Sequence, residues 1–99
     1  MQHIKVKLAR KEADGYVIAL GPVNLVSVVT DVGMLACGAF NALALDKFNY
    51  PCGCVSSPNG KPVANIDDLL ESAVMEANNS AQRLGIRIGM NAREALDKM

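Results

Sequence analysis

Tryptophan is absent from this 99-residue chain, and two Tyr and two Phe are its only large aromatics. A core must therefore be built from aliphatic side chains. Histidine occurs once, at position 3, so a Cys–His pair could use only His3. An excess of either charge is also lacking: ten Lys and Arg balance ten Asp and Glu. That balance excludes the basic footprint of a nucleic-acid binder. No apolar run reaches the roughly 18 residues of a membrane-spanning helix. The N-terminus lacks a signal-peptide pattern, because Lys5, Lys7 and Arg10 interrupt it. The three cysteines are an odd number without secreted-domain spacing, so a cytoplasmic location is expected. Neither a P-loop nor a G-x-G-x-x-G is present.

What is present is aliphatic: 51% of the residues are apolar. The length fits one domain over residues 1–99. A chain this short buries only about 60–65% of the surface its unfolded form exposes. So much apolar side chain exceeds what one small core hides, and burial in a homo-oligomer is the simplest remedy.

Residues 3–8 alternate, with His3, Lys5 and Lys7 on one face and Ile4, Val6 and Leu8 on the other, which argues a half-buried strand. His3 reads as a surface residue without a partner. Residues 11–15 read as a turn on Asp14-Gly15. Residues 16–20 return as a second strand, apolar on both faces, so that another subunit is expected to cover one of them. Gly21-Pro22 breaks it. Residues 24–30 form a third strand, with Leu25, Ser27 and Val29 opposite Val26 and Val28. Asp31-Val32-Gly33 fits a type I turn with a left-handed glycine. Residues 34–37 make a fourth strand, and Gly38 lets the chain turn into a short helix capped by Asn41. Phe48 and Tyr50 are expected to close that segment against the core. Residues 51–55 are extended, and residues 56–62 read as a loop with a turn at Asn59-Gly60.

Asn65 caps the longest expected helix, with Asp67 and Asp68 at the positive end of its dipole. Ile66, Leu69, Leu70, Ala73, Val74, Ala77, Ala81 and Leu84 fall at helical spacing, with Glu71, Asn78, Gln82 and Arg83 on the wet side. Gly85 stops it. Asn91 and Glu94 form a capping-box pattern that opens a terminal helix. The expected fold is α+β: a mostly antiparallel sheet from the N-terminal half, with helices packed on one face.

Asn24-Leu25, Gly33-x-x-x-Cys37-Gly38-x-x-Asn41, Ile66-Asp67-x-Leu69-Leu70, Leu84-Gly85-Ile86-x-x-Gly89-Met90 and Arg93-Glu94-Ala95-Leu96 together resemble the YunC-like family, a domain of unknown function. The resemblance covers residues 24–99. It implies a small α+β domain whose N-terminal β region, here residues 1–38, is associated with tetramerisation, and it implies no activity. Relatives tend to carry a proline near the position of Ala73. This chain has none there, which leaves open one helix over residues 66–84 or two.

Cys37 is the candidate catalytic residue. It precedes a glycine at a strand end close to a helix start, where a thiolate would be favoured. The same residue also reads as a small buried hydrophobe. Asn24, Gly38, Asn41 and Arg93 are the candidate ligand-binding residues. Gly89 and the capped helix after it can hold a carboxylate or phosphate, with Arg93 in its first turn. Cys52 and Cys54 are spaced C-x-C rather than C-x-x-C, and further ligands would have to come from Cys37 and His3. No metal site is assigned, and no cofactor is identified. The expected function is a homo-oligomeric module that binds a small molecule or a protein without catalysis. The alternative is a small enzyme or redox protein using Cys37 as nucleophile. Nucleic acid and membrane are not expected partners.

Overall fold

The computed structural model describes residues 1–57 and 59–99. Period-two alternation builds its first half. β1 (Gln2–Lys7), β2 (Glu12–Leu20) and β3 (Val23–Val29) are successive antiparallel neighbours. β4 (Met34–Ala36) adds antiparallel to β3. β5 (Cys52–Ser56) lies parallel to β4, reached by a crossover that carries α1 (Ala42–Asp46). β6 (Ala73–Ala77) closes the six-stranded sheet antiparallel to β5, so the spatial order equals the chain order. The remaining helices are α2 (Ile66–Leu70), α3 (Asn79–Gln82) and α4 (Ala92–Asp97). The fold is α+β with a mostly antiparallel sheet, and two of its strands come from the second half of the chain.

The pleat sorts side chains onto two faces. Val6, Ala13, Val17, Val26, Val28, Leu35 and Val55 form the inner face, under Ile66, Leu69 and Leu70 of α2 and Ala92, Ala95 and Leu96 of α4. The outer face carries Met34 and Ala36 of β4 and Cys52 and Cys54 of β5, covered by Ala42 and Leu45 of α1 with Phe40 and Tyr50. No helix among the described residues is long and apolar enough to cross a membrane.

Four expectations are corrected. Residues 12–15 are not a turn but the start of β2, and the chain reverses one step earlier, where Leu8 N donates to Lys11 O at 2.9 Å. Inside the strand, a Cβ at Gly15 would come 2.8 Å from Ile66 Cδ1, so its absence lets α2 sit close on β2. Gly33 is not left-handed. Thr30 makes that turn instead, its Oγ1 accepting from Val32 N and Gly33 N at 3.1 Å, and a Cβ on Gly33 would collide with the Pro51 carbonyl. Phe48 does not close against the core and is 77% exposed, while Tyr50 does pack on the outer-face cluster.

The fourth correction is the largest. Residues 66–84 are neither one helix nor two in succession but helix, strand and helix. Asn65 does cap α2, its Oδ1 accepting from Asp68 N at 2.8 Å. Ser72 Oγ then donates to Asp68 O at 2.6 Å at the helix end, and the chain extends as β6. The backbone of β5 explains the switch: it lies in the sheet interior, and without β6 one row of its peptide groups would be buried unpaired. The loop expected at residues 56–62 includes Pro58, which lies outside the described residues. Gly60 in it has φ +74°.

Candidate functional site

Cys37 follows β4 directly. Its N–H donates to Val26 O at 2.9 Å, which extends the β3–β4 pairing by one residue. Its side chain belongs to the inner-face cluster and is 7% exposed. Beside it the ends of β4 and β5, the segment 60–63 and Met75 of β6 border an open cleft of about 220 Å³. Cys37, Gly38, Val55, Val63 and Met75 give it an apolar and sulfur-bearing wall, and Lys61 is the charged residue among the described lining. Asn24 braces that wall from outside: its Nδ2 donates to Ala64 O at 2.9 Å, next to Val63. A space of this size suits a ligand smaller than the occupants of ordinary cofactor pockets, which run from about 300 Å³.

The helix start expected to act on Cys37 acts on a different sulfur. Asn41 caps α1, its Oδ1 accepting from Ala44 N at 3.1 Å, but α1 covers the outer face of the sheet. Its first N–H, that of Ala42, points at Cys54 and favours the thiolate there. Burial and the nearby Glu76 outweigh that help, and the Cys54 thiol is pushed up to about 11. Burial pushes Cys52 up to about 12, with Cys54 and Glu76 adding to the rise. Both are protonated thiols at neutral pH and poor nucleophiles.

Cys52 and Cys54 face the outer cluster, and Cys37 faces the inner one. His3 is on β1, where its Nε2 lies 2.8 Å from Asp14 Oδ1 and its ring stacks on Tyr16 at 4.9 Å. The four side chains weighed as metal ligands are therefore spread over both faces and two ends of the sheet. Among the described residues no three His, Cys, Asp or Glu side chains converge on a metal position. The structure also gives His3 the partner that the sequence reading denied it. Lys5 Nζ bonds the same Asp14 Oδ1 at 2.7 Å, and these two hydrogen bonds hold the Asp14 carboxyl below the usual carboxylate range.

Of the candidate ligand-binding residues, Gly38 lines the Cys37 cleft, Asn24 supports it, and Asn41 and Arg93 lie outside it. Arg93 occupies a separate groove of about 500 Å³ along β1, where its Nη1 donates to Lys7 O at 3.4 Å. Asn91 caps α4 by accepting from Arg93 N at 2.9 Å. Met75, Lys61 and Val63 were not singled out as site residues by sequence reasoning. They reach Cys37 only through β5–β6 pairing and the loop before α2, and no local pattern announces that.

The architecture defines a small α+β domain: a six-stranded sheet with one parallel pair, helices on its inner face and one crossover helix on its outer face. Residues 36–99 match the family described as a domain of unknown function, DUF1805, and the chain belongs to that family. It is 34% identical over 82 residues to an uncharacterized protein, YunC, of Bacillus subtilis, a match that covers 83% of this chain and 80% of the relative. The crystal structure of a protein of unknown function from Thermoplasma acidophilum superposes with a TM-score of 0.86 at 27% identity, over 98% of this chain and 90% of that one.

Proposed function

We propose that the protein is a homo-oligomeric, non-catalytic module that binds a small molecule or a partner protein, assembled through its N-terminal strands into the tetramer that the family resemblance implies. The observation that carries this reading is the uneven cover of the outer sheet face. Over β4 and β5 that face is sealed by α1. At the hairpin end of β2 and β3 it is open, and Ile18, Leu20 and Val23 are 39, 53 and 56% exposed. Ile18 is paired with Leu25, and Leu20 with Val23, so these apolar side chains form one contiguous patch at the hairpin end. A second subunit that buries this patch removes it from water at roughly 25 cal/mol per Å². Free thiols at all three cysteines fit a reducing cytoplasm.

Sedimentation tests the assembly. The expected mass is a multiple of 10.5 kDa at micromolar concentration, and Ile18→Asp or Leu20→Asp lowers it to that of the monomer. A monomeric native protein would refute the reading. The cleft beside Cys37 favours a second reading, in which Cys37 is a nucleophile or redox centre of a small enzyme. Alkylation of the native protein separates the two. Cys37 modified rapidly near neutral pH supports the enzyme. Cys37 protected until unfolding supports the module.

A further inference from the structure

The bare edge of the sheet is β1, and its two long sides are not equivalent. Toward β2 it is fully paired, from Gln2↔Val17 to Lys7↔Glu12. On the other side no strand follows. The Lys7 carbonyl accepts from Arg93 there, so it points to the open side. Backbone direction alternates along a strand, and the peptide groups of Lys5 and His3 therefore point the same way. No backbone partner for them occurs among the described residues. Such a row of free N–H and C=O groups is a template for an added strand.

We propose that this edge receives an extended segment of another protein whose residues alternate between acidic and apolar. The two faces of β1 specify that alternation. His3, Lys5 and Lys7 stand on the outer face. Their neighbours on β2 are Tyr16, Asp14 and Glu12, so the strand already in place answers each lysine with a carboxylate. A strand added on the open side meets Lys5 and Lys7 from their other flank, and acidic residues at alternate positions match those two lysines. Its intervening side chains drop to the inner face. There the groove of about 500 Å³ between β1 and α2 offers the exposed Ile4 above the buried Val6, Ile66 and Leu70, with Asp67 and Arg93 among its polar residues.

The same arithmetic disfavours a second copy of β1 as the occupant. Antiparallel β1–β1 pairing would set a row containing Lys5 and Lys7 beside an identical row, and like charges directly opposite are destabilising. The lysines thus protect the edge from self-pairing while leaving it open to a segment of opposite sign. The proposal rests on the binding-module reading, with the subunit contact made by the apolar patch on β2 and β3 and not by the edge of β1, and names its partner class. The added segment does not involve the Cys37 cleft or the patch at Ile18 and Leu20.

The test uses the full-length native protein and a capped hexapeptide of alternating glutamate and valine, followed by amide chemical shifts. Shifts centred on His3 and Lys5, and an affinity that falls with added salt, are expected. The Lys5→Gln/Lys7→Gln double variant should bind at least tenfold more weakly. A peptide N-methylated on its pairing edge should lose binding, because it retains the charges but not the hydrogen bonds. Absence of shifts at millimolar peptide, shifts centred away from β1, or equal binding of an alternating lysine–valine peptide would each overturn the proposal. Sedimentation of the same samples keeps the two failures apart. No β1 shifts in a protein of oligomeric mass refutes the partner class alone, whereas a monomeric mass refutes the assembly whatever the peptide does.

Discussion

Cys52 and Cys54 illustrate how a residue's surroundings replace its intrinsic chemistry. Each is a thiol that burial holds protonated, up to about 12 for Cys52 and about 11 for Cys54. In the unfolded chain the same groups titrate near 8.5. Between those values the native state binds more protons than the unfolded state, so stability falls as pH rises. The contribution is fully present below about pH 8.5 and is lost progressively toward pH 11 to 12, at up to about 1.4 kcal/mol per pH unit for each group inside the window. Urea midpoints measured from pH 8 to 11 should therefore drop more steeply for the native protein than for Cys52→Ala. Parallel curves would show that these thiols do not couple to folding. The sequence shows the C-x-C spacing but not the pKa values, because those come from α1, Tyr50 and Glu76 closing around the sulfurs.

At the scale of elements, one asparagine joins four of them. Asn78 is buried and caps α3, its Oδ1 accepting from Ala81 N at 2.9 Å. The same oxygen accepts from Cys52 N at 3.1 Å. Its Nδ2 donates to Ala42 O and Tyr50 O, each at 2.9 Å. The start of β5, the end of β6, α1 and α3 thus meet on a single side chain. Asn78→Ala leaves the Cys52 and Ala81 N–H groups without their acceptor and takes one donor each from the Ala42 and Tyr50 carbonyls. A loss on the order of 3 kcal/mol is expected, read as a lower urea midpoint at unchanged slope. A loss under about 0.5 kcal/mol would show that water or relaxation replaces those bonds. The helical-spacing argument had placed this residue on the wet side of one long helix. Apolar residues at 66, 69, 70, 73, 74, 77 and 81 satisfy a 3.6-residue period, and that period says nothing about which backbone needs a neighbour. The local signal that competes with it is Asn78-Asn79-Ser80, three residues that favour caps over helix interiors. Several local rules were legible, namely alternation in β1 and β3, caps at Asn41, Asn65 and Asn91 and the stop at Gly85, but the Asp14-Gly15 turn signal was not, because Gly15 serves the packing of Ile66 on β2. Where the determinant was a distant strand, as for β6 or for Met75 beside Cys37, it was not legible.

The whole molecule poses a question of cover. Six strands give the sheet two faces, and the chain supplies α2 and α4 for one but only the short α1 for the other. The composition foreshadowed this, since an aliphatic chain of 99 residues has more apolar side chain than one small core takes in. If subunits associate through the bare part of β2 and β3, assembly and folding are linked by mass action, because a partner that binds only the folded state raises its apparent stability. The unfolding temperature should then rise with protein concentration. Ile18→Asp, whose side chain lies in the patch and not in the inner core, should flatten that dependence and, at low concentration, leave the unfolding temperature close to that of the native chain. Core damage gives a different signature, a concentration-independent fall. A native protein whose unfolding temperature does not move over a hundredfold range of concentration would show that the patch at Ile18, Leu20 and Val23 stays in water, and the apolar outer face would then have to be explained without a second subunit.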